Sequence, residues 1–401
     1  MINKNKNIVI SLLRISHQSP TGAFVYVQNL LDNLLKIDKN NKYYLLLTLN
    51  NNRYFKKRYK KYKNIEFKIM DIRHDIIFNP IRAFLKMLAK IKNDDLCKEK
   101  ILTKETQRFV NKKNIDMFFF PSTIIYPKNI ENVKIISTIC DLQHEYFPEN
   151  FPEKYLEYRK KNYRYSVLNS DHIIAISNYT KRTIVEKYKI NPNKITTIYL
   201  GTNNAKNKKS AISLPKNFIF YPAAFWPHKN HKILIEALGR LSHEFPDLNL
   251  VFTGFTKMIK NIKVKKEIDD LIKLYKLSKK VIFLGYVSNE NVDYIYQKAK
   301  AMVFPSSFEG FGLPIIEAFK HGLPVVSANN TSINEIVRDA GLLFETNNLE
   351  MLVECIKKVL TNHNLREQLI NKGRQRANAF TWESTAKRTL LVFNKAMTNI
   401  Q

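Results

Sequence analysis

Cysteine, acidic side chains and long apolar runs are all scarce in this chain. Its 401 residues include three cysteines, Cys97, Cys140 and Cys355, which lie far apart and form no C-x-x-C pair. Neither a disulfide framework nor a zinc site is indicated, and a reducing compartment is expected. No apolar run approaches the length of a membrane span. The first one, residues 8–13, ends at a charged residue without a small-residue cleavage site, so no signal peptide is predicted.

The charge is strongly unbalanced, with 66 Lys and Arg against 35 Asp and Glu, a formal net charge of +31. The first 200 residues hold 37 of the basic and 18 of the acidic side chains, hence +19. Their densest basic runs, 53–63 and 154–164, interleave tyrosines with Lys and Arg. Such runs are typical of solvated faces, of a surface that meets an anionic membrane, or of a base-stacking platform. No nucleic-acid recognition motif accompanies them, so nucleic acid is not an expected partner.

Strand-like and helix-like segments alternate along the chain in two series. This alternation favours parallel sheets with helices on both faces. The polar, irregular residues 201–210 are the best linker candidate, so two α/β domains are expected, with a ligand cleft beyond the carboxyl ends of their strands. The predicted strands are 8–13, 43–49, 117–120, 133–139, 172–176, 195–199, 218–222, 248–252, 281–284, 301–304 and 323–327, and the predicted helices include 25–36, 179–188, 232–241 and 291–300.

The most informative segment is S-S-F-E-G-F-G-L-P-I-I-E-A, residues 306–318. An apolar strand precedes it and a helical pattern follows, so it is predicted to form a glycine turn and the start of a helix. Gly310 and Gly312 let a ligand approach the backbone, and free N–H groups at a helix start suit a phosphate. Glu309 is placed just before the turn and Glu317 in the first helical turn, one carboxylate for each end of a ligand. The plainer interpretation is a tight turn and a favourable first-turn acid.

The full segment resembles the E-x7-E signature of retaining, nucleotide-sugar-dependent glycosyltransferases of family four, which have the GT-B fold. The resemblance covers nearly the whole chain, strongly from 218 to 345 and loosely in 40–115. It implies two Rossmann-like doubly wound domains facing a cleft: 1–205 on the acceptor side and 206–380 for the nucleotide sugar, with a C-terminal helix, 381–401, crossing back to the first domain. Further similar segments are P-H-K-N-H at 227–231, F-L-G-Y-V at 283–287, T-G-A at 21–23, D-L-Q-H at 141–144, F-P-E at 147–149 and W-E at 382–383.

By this resemblance each segment has an expected role. Lys229 and the loop at Gly22 would take the donor diphosphate, where a fixed ammonium stabilises the charge that grows on the leaving group. Glu309 and the backbone N–H groups beside it would hold the sugar hydroxyls, and Glu317 the ribose hydroxyls. The expected catalytic residues are Glu309, Lys229 and His144, and the expected donor-binding residues are Gly22, Lys229, Gly285, Tyr286, Val287, Glu309, Gly310, Phe311, Gly312, Leu313 and Glu317, with 285–287 against the nucleobase.

Two positions depart from the family pattern. Many members carry an arginine six residues before the lysine, where this chain has Ala223, so a second phosphate contact must come from elsewhere or from backbone N–H groups. The histidine that touches the donor sugar in the family is Cys140 here. His144 is retained and is the better candidate for that contact, against the alternative of a structural loop histidine.

The expected function is that of a retaining glycosyltransferase. It would move a hexose, of the mannose type, from a nucleotide sugar to a saccharide or lipid-linked saccharide in surface polysaccharide or lipopolysaccharide assembly. No cofactor and no metal are expected, because lysine and a helix N-terminus would carry the diphosphate charge. A cytoplasmic location is expected, with peripheral docking on the anionic inner face of the cell membrane. The alternatives are a GT-B epimerase or phosphorylase and a basic nucleic-acid-binding protein.

Overall fold

Two parallel sheets organise the molecule. The computed structural model describes residues 5–17, 21–70, 95–205, 210–254 and 262–398. Within these ranges the strands are β1 Asn7–Ser11, β2 Lys42–Leu47, β3 Ile65–Ile69, β4 Met117–Phe120, β5 Lys134–Ile139, β6 His172–Ala175, β7 Ile195–Thr197, β8 Phe218–Pro222, β9 Asn249–Thr253, β10 Val281–Phe283, β11 Ala301–Phe304, β12 Val325–Ala328 and β13 Leu342–Phe344.

The two sheets have the same strand order, apart from the extra edge strand β7 in the first. The first runs β3-β2-β1-β4-β5-β6-β7 and the second β10-β9-β8-β11-β12-β13, and neighbouring strands are parallel throughout. Each chain half starts in the middle of its sheet, winds to one edge, returns, and winds to the other edge. The predicted doubly wound organisation is therefore confirmed. Its switch points lie between β1 and β4 and between β8 and β11, where ligands bind beyond the strand ends.

Helices cover the sheets, and their apolar faces form the core with the strands. The helix His231–Leu241, for example, buries Ile233, Leu234, Leu238 and Leu241. The α-helices of the described residues are Gly22–Ile37, Leu49–Tyr59, Asp95–Lys113, Gln143–Tyr146, Glu153–Leu168, Asn178–Tyr188, His231–Leu241, Ile262–Leu274, Asn289–Lys298, Leu313–Lys320, Ile333–Val337, Leu349–Thr361, His363–Asn378 and Trp382–Thr398. None of these helices is both long enough and apolar enough to cross a bilayer.

Capping side chains move several element boundaries from their predicted positions. Thr48 was expected inside the strand 43–49, but its hydroxyl accepts the Asn51 N–H and caps the helix Leu49–Tyr59, so β2 ends at Leu47. Residues 21–23 were expected as a loop, but Thr21 caps a helix that already begins at Gly22. The helix Leu313–Lys320 begins early enough to place Glu317 in its second turn, which corrects the first-turn expectation.

The last helix packs on the first domain. Trp382–Thr398 lies against the helix Gly22–Ile37, and the Phe393 ring meets Phe119 with centroids 5.0 Å apart. The chain crosses between the domains at two adjacent places, joined by a parallel bridge between Thr202 and Thr381. A Cβ added to Gly201 would lie 2.1 Å from the Trp382 nitrogen, so only glycine fits at this crossing.

Candidate active site

Lys229 and Glu309 meet at the switch point of the second sheet. Lys229 follows β8 and Glu309 follows β11, and these two strands are neighbours. The Lys229 ammonium forms an ion pair with the Glu309 carboxylate, and the two side chains are 18% and 13% exposed. Two residues that are 80 positions apart in sequence therefore place a cation and an anion together, with little water around them.

A hydrogen-bonded carbonyl fixes the turn that carries Lys229. Pro227–Lys229 form a 3-10 turn, and the His228 carbonyl accepts three hydrogen bonds: from the Ser307 N–H at 2.8 Å, the Ser306 hydroxyl at 3.2 Å and the Ser307 hydroxyl at 3.1 Å. The Tyr221 hydroxyl donates to the Lys229 carbonyl at 2.9 Å. The sequence interpretation gave these serines no role. Their signal was two hydroxyl residues placed one residue after a buried strand.

A second loop holds the backbone of Glu309. Its N–H donates to the Thr331 hydroxyl at 3.2 Å, and the Ser332 hydroxyl donates to the carbonyls of Glu309 at 3.0 Å and Phe311 at 3.1 Å. Thr331 and Ser332 follow β12, the strand next to β11. Hydroxyl side chains thus hold the backbone at or beside each of the two charged residues, which preorganises the pair.

Gly310 and Gly312 of the turn are required to be glycine by different structural constraints. Gly312 has φ of +102° and immediately precedes the helix Leu313–Lys320, a backbone conformation that disfavours other residues. A Cβ on Gly310 would lie 2.1 Å from the Cys140 carbonyl of the first domain. Glycine at position 310 therefore lets the first domain approach the turn, whereas the sequence predicted only the approach of a ligand. The Phe311 side chain is buried against Tyr199, so only its backbone is available to a ligand.

Aromatic rings of the two domains pack against each other beside this turn. Phe308 is buried, and its ring packs on Tyr146, Phe147 and Tyr179 of the first domain at centroid distances of 6.2, 5.7 and 5.9 Å. Glu335 adds polar contacts, because its carboxylate accepts the Tyr179 N–H at 2.9 Å and the Tyr199 hydroxyl at 2.7 Å. The E-x7-E segment thus lies at the interface of the two domains.

Glu317 points to a buried tyrosine rather than to Lys229. The Tyr296 hydroxyl donates to the Glu317 carboxylate at 3.1 Å. Burial raises the pKa of Glu317 to about 7, the hydrogen bond from Tyr296 opposes this rise, and the nearby charge of Asp293 adds to it. Glu317 consequently titrates near neutrality.

His144 does not reach the cleft. Its side chain is completely buried, with its ring edge-on to Tyr163 at 4.7 Å and its Nε2 3.3 Å from the Glu145 carboxylate. Burial, aided by Arg159, lowers its pKa to about 4, so it is neutral at pH 7. The expectation that His144 touches the donor sugar is therefore not met in this structure, because no part of the ring is accessible.

The residue in the family's histidine position lies nearer the site. Cys140 directly follows β5, is half-buried, and its carbonyl abuts Gly310. Burial and the neighbouring charge of Asp141 raise the pKa of its thiol to about 12, so the thiol is uncharged at pH 7. Ala223, the other departure, is buried and packs on Gly254. Neither position supplies a cation.

The expected nucleobase loop is open to solvent. Gly285 has φ of +65°, and a Cβ there would meet no atom of the described residues within 4 Å. Tyr286 is 60% exposed, while Val287 packs against the core. Trp226, which follows β8, and Phe283, the last residue of β10, are also exposed, and β9 lies between these two strands. An aromatic rim of this kind can stack on a base.

Gly22 lies at the start of a 16-residue helix that follows β1 in the first sheet. A Cβ there would also meet no atom within 4 Å in the part of the chain that the structure describes. Among the described residues no group of three His, Cys, Asp or Glu side chains is arranged to hold a metal ion.

Comparisons with known proteins agree with this architecture. One family model, Glycosyl transferases group 1, matches residues 202–376, which include Lys229, Glu309 and Glu317. A second, Glycosyltransferase Family 4, matches residues 104–206. The chain is similar to glycosyltransferases. Among curated relatives, the O-antigen chain mannosyltransferase B of Escherichia coli is 26% identical over 324 residues, 76% of this chain and 82% of that protein.

Solved glycosyltransferase-like structures share the whole fold. A glycosyltransferase from Rickettsia africae ESF-5 superposes with a TM-score of 0.72 at 18% identity, over 98% of this chain and 99% of that one. HepE from Anabaena, in complex with UDP and glucose, gives a TM-score of 0.72 at 15% identity, over 98% and 100%. The predicted GT-B fold is confirmed.

Proposed function

We propose that this chain is a retaining glycosyltransferase that moves a hexose from a nucleotide sugar to a saccharide acceptor. The observation that carries the proposal is the Lys229–Glu309 pair at the switch point, next to the start of the helix Leu313–Lys320. A nucleotide sugar needs a cation for its diphosphate and an acceptor of hydrogen bonds for its sugar hydroxyls, and this pair offers both. The mannosyltransferase name of the Escherichia coli relative supports mannose and a surface polysaccharide, and the UDP and glucose in HepE support a nucleotide sugar.

The ion pair also indicates how the donor is received. In this structure the Lys229 charge is satisfied by Glu309. A bound diphosphate competes for Lys229, and the carboxylate is then free to accept hydrogen bonds from the sugar hydroxyls. As the bond from C1 to the diphosphate oxygen breaks, the sugar gains oxocarbenium character and negative charge grows on the leaving group, which Lys229 stabilises. An acceptor hydroxyl bonds to C1 and gives its proton to the departing diphosphate.

The test is a panel of nucleotide sugars. GDP-mannose and UDP-glucose, with other nucleotide sugars, are first compared by thermal shift, and nucleotide release is then followed with and without oligosaccharide acceptors. We expect one donor to stabilise the protein and to release its nucleotide. NMR of the product should show that the anomeric configuration of the donor is retained. Release of an epimerised sugar or phosphate-dependent cleavage would identify an epimerase or a phosphorylase. Salt-sensitive DNA binding without turnover would identify a nucleic-acid-binding protein.

We further propose that the first domain docks on an anionic membrane carrying a lipid-linked acceptor. In the run 53–63 most cations are exposed, as are Lys154, Lys160 and Lys161 in the second run. The tyrosines are mostly turned inward: Tyr59 is fully buried, and Tyr155, 52% exposed, is the exception. Attachment is therefore chiefly electrostatic, worth about 1 kcal/mol or less per basic residue, and falls with salt.

Vesicle co-sedimentation tests this attachment. Binding to vesicles containing anionic phosphatidylglycerol is expected at low salt and is lost at high salt, while neutral phosphatidylcholine vesicles do not bind. Replacing Lys60 and Lys61 with Gln should weaken binding by roughly tenfold or more. Replacing Lys276 and Lys279, exposed lysines of the second domain, is the matched control and should change little. Equal or negligible binding to both vesicle types would refute docking.

A further inference from the structure

The carboxylate of Glu317 is held by a tyrosine that cannot move freely. Tyr296 lies on the helix Asn289–Lys298 and is 1% exposed. Its ring stacks on His321 with centroids 5.0 Å apart and meets Phe220 edge-on at 5.2 Å. With the ring fixed, its hydroxyl has two acceptors in reach, the Glu317 carboxylate at 3.1 Å and the Pro314 carbonyl at 3.4 Å. The shorter contact, to the charged acceptor, is the stronger one.

A second pair braces the tyrosine. His321 follows the helix that carries Glu317, and its Nδ1 donates to the Glu317 carbonyl at 2.8 Å. Its Nε2 lies 3.1 Å from the carboxylate of Asp293, which is one turn before Tyr296 on the same helix. His321 is thus hydrogen-bonded to its own helix, contacts Asp293 of the other helix and stacks on the Tyr296 ring. This arrangement fixes the distance between the phenol and the carboxylate.

The electrostatics around Glu317 come from the same few groups. Burial raises its pKa, the Tyr296 hydroxyl opposes that rise by stabilising the carboxylate, and Asp293 adds to it. Burial raises the pKa of Tyr296 far above its ordinary value, so the phenol stays a hydrogen-bond donor. From the helix His363–Asn378, packed on the same element, Arg374 lies beside Gly322, beyond the C-terminal end of the Glu317 helix.

We propose that Tyr296 is a positioning residue for the donor nucleotide: its hydroxyl holds the Glu317 carboxylate in place to accept hydrogen bonds from the two ribose hydroxyls, and the Asp293–His321 pair holds Tyr296. The inference rests on the proposed ribose-binding role of Glu317. The helix that carries Tyr296 follows directly on the loop 285–287, so base and ribose recognition share one rigid support. Because a carboxylate accepts hydrogen bonds from both hydroxyls and a carboxylic acid does so less well, donor affinity rises with pH through neutrality.

The Tyr296→Phe variant keeps the ring stack and removes only the hydroxyl. At pH 7 the KM for the donor should rise roughly tenfold, with kcat within about twofold. The pH at which KM improves should move upward, because the carboxylate loses the hydrogen bond that stabilises it. Tyr294→Phe, the same change on the same helix beneath Lys298, is the matched control and should leave KM and its pH profile unchanged.

Two more variants distinguish a wrong role for Glu317 from a wrong role for Tyr296. Glu317→Gln should raise KM and remove its pH dependence. If it leaves donor KM unchanged, the role of Glu317 is wrong, whatever Tyr296 does. If it raises KM while Tyr296→Phe behaves like Tyr294→Phe, the positioning role alone is refuted. Asp293→Asn, at a partly exposed site, removes a charge that disfavours the carboxylate. It should move the pH profile downward, opposite to Tyr296→Phe. Because it also removes a contact that holds Tyr296, it should raise the donor KM at high pH, where Glu317 is ionised, and an unchanged KM there would refute the role of the Asp293–His321 pair even if Tyr296→Phe unfolds.

Discussion

Removing either charge of the Lys229–Glu309 pair should abolish most activity while costing only part of the stability. Loss of one preorganised charge contact raises a barrier by about 2.7–4 kcal/mol, a hundredfold or more in kcat/KM. Breaking a buried pair leaves an uncompensated charge, at a cost of about 3–5 kcal/mol when burial is complete. These side chains are 18% and 13% exposed, so the loss lies at or below the lower end of that range.

The sharpest form of this prediction is a double-mutant cycle. Lys229→Met and Glu309→Gln should each lower both kcat/KM and the free energy of unfolding. The double variant should regain most of the stability, because no unpaired charge remains, yet stay as inactive as the worse single variant. Rates come from nucleotide release and stability from urea unfolding. Lys232→Met, which breaks a surface pair with Glu267 at 3.0 Å, is the control and should cost about 1 kcal/mol at most with normal turnover.

Two results would refute this reasoning. Near-normal turnover in both single variants, with unchanged cooperative unfolding, would remove these residues from the active site. Recovery of activity together with stability in the double variant would show that the pair serves the fold alone.

Other features give further expectations. Gly310→Ala should lower turnover tenfold or more and lower the melting temperature, because its Cβ would lie 2.1 Å from the unyielding Cys140 carbonyl; wild-type kinetics and melting would contradict the interface described here. Acid should destabilise the protein, since burial lowers the pKa of His144 to about 4 and of His231 to about 3. The stability present above pH 6.5 is then lost as pH falls toward these values, by about 1.4 kcal/mol per pH unit for each group, and burial lowers the pKa of His172 to about 4 and of His228 to about 3 with the same effect. Glu317, whose pKa burial raises to about 7, opposes this loss as a single group, so equal urea stabilities at pH 7.5 and 5.5 would exclude the expected net destabilisation. Turnover should survive excess EDTA, and a loss restored by magnesium or manganese would show that a metal is needed.

The fold was predictable because the central strands are continuous apolar runs in the sequence. Both faces of a doubly wound sheet are covered, so strands such as Met117–Phe120 and Ala301–Phe304 are wholly buried and stand out from their surroundings. Boundaries were less predictable, because they depend on whether a hydroxyl binds its own backbone. Thr48 and Thr21 cap helices at places where the pattern alone favoured strand or loop.

The candidate site was predictable in part for a similar reason. Residues that follow neighbouring strands of a parallel sheet meet at one edge, and Lys229 and Glu309 do so. Their direct ion pair was not foreseen, because it depends on the tertiary path of both loops. The inward direction of His144 was not foreseen either, since a four-residue helix has no periodicity that identifies its buried face. Tyr296 resembled any other core aromatic in the sequence, and only its hydroxyl contact distinguishes it.

The paired crossings near Thr202 and Thr381 mean that, in covalent terms, the second domain is an insertion in the first. The first domain begins with β1, is interrupted in sequence after Leu200 and is completed by the helix Trp382–Thr398. The Thr385 hydroxyl of this helix donates to the Tyr199 carbonyl at 2.8 Å. During synthesis the ribosome therefore finishes the whole second domain before it supplies the last piece of the first domain. A released fragment that ends before residue 382 should contain a complete second domain and a first domain that still exposes one face of its earliest helix.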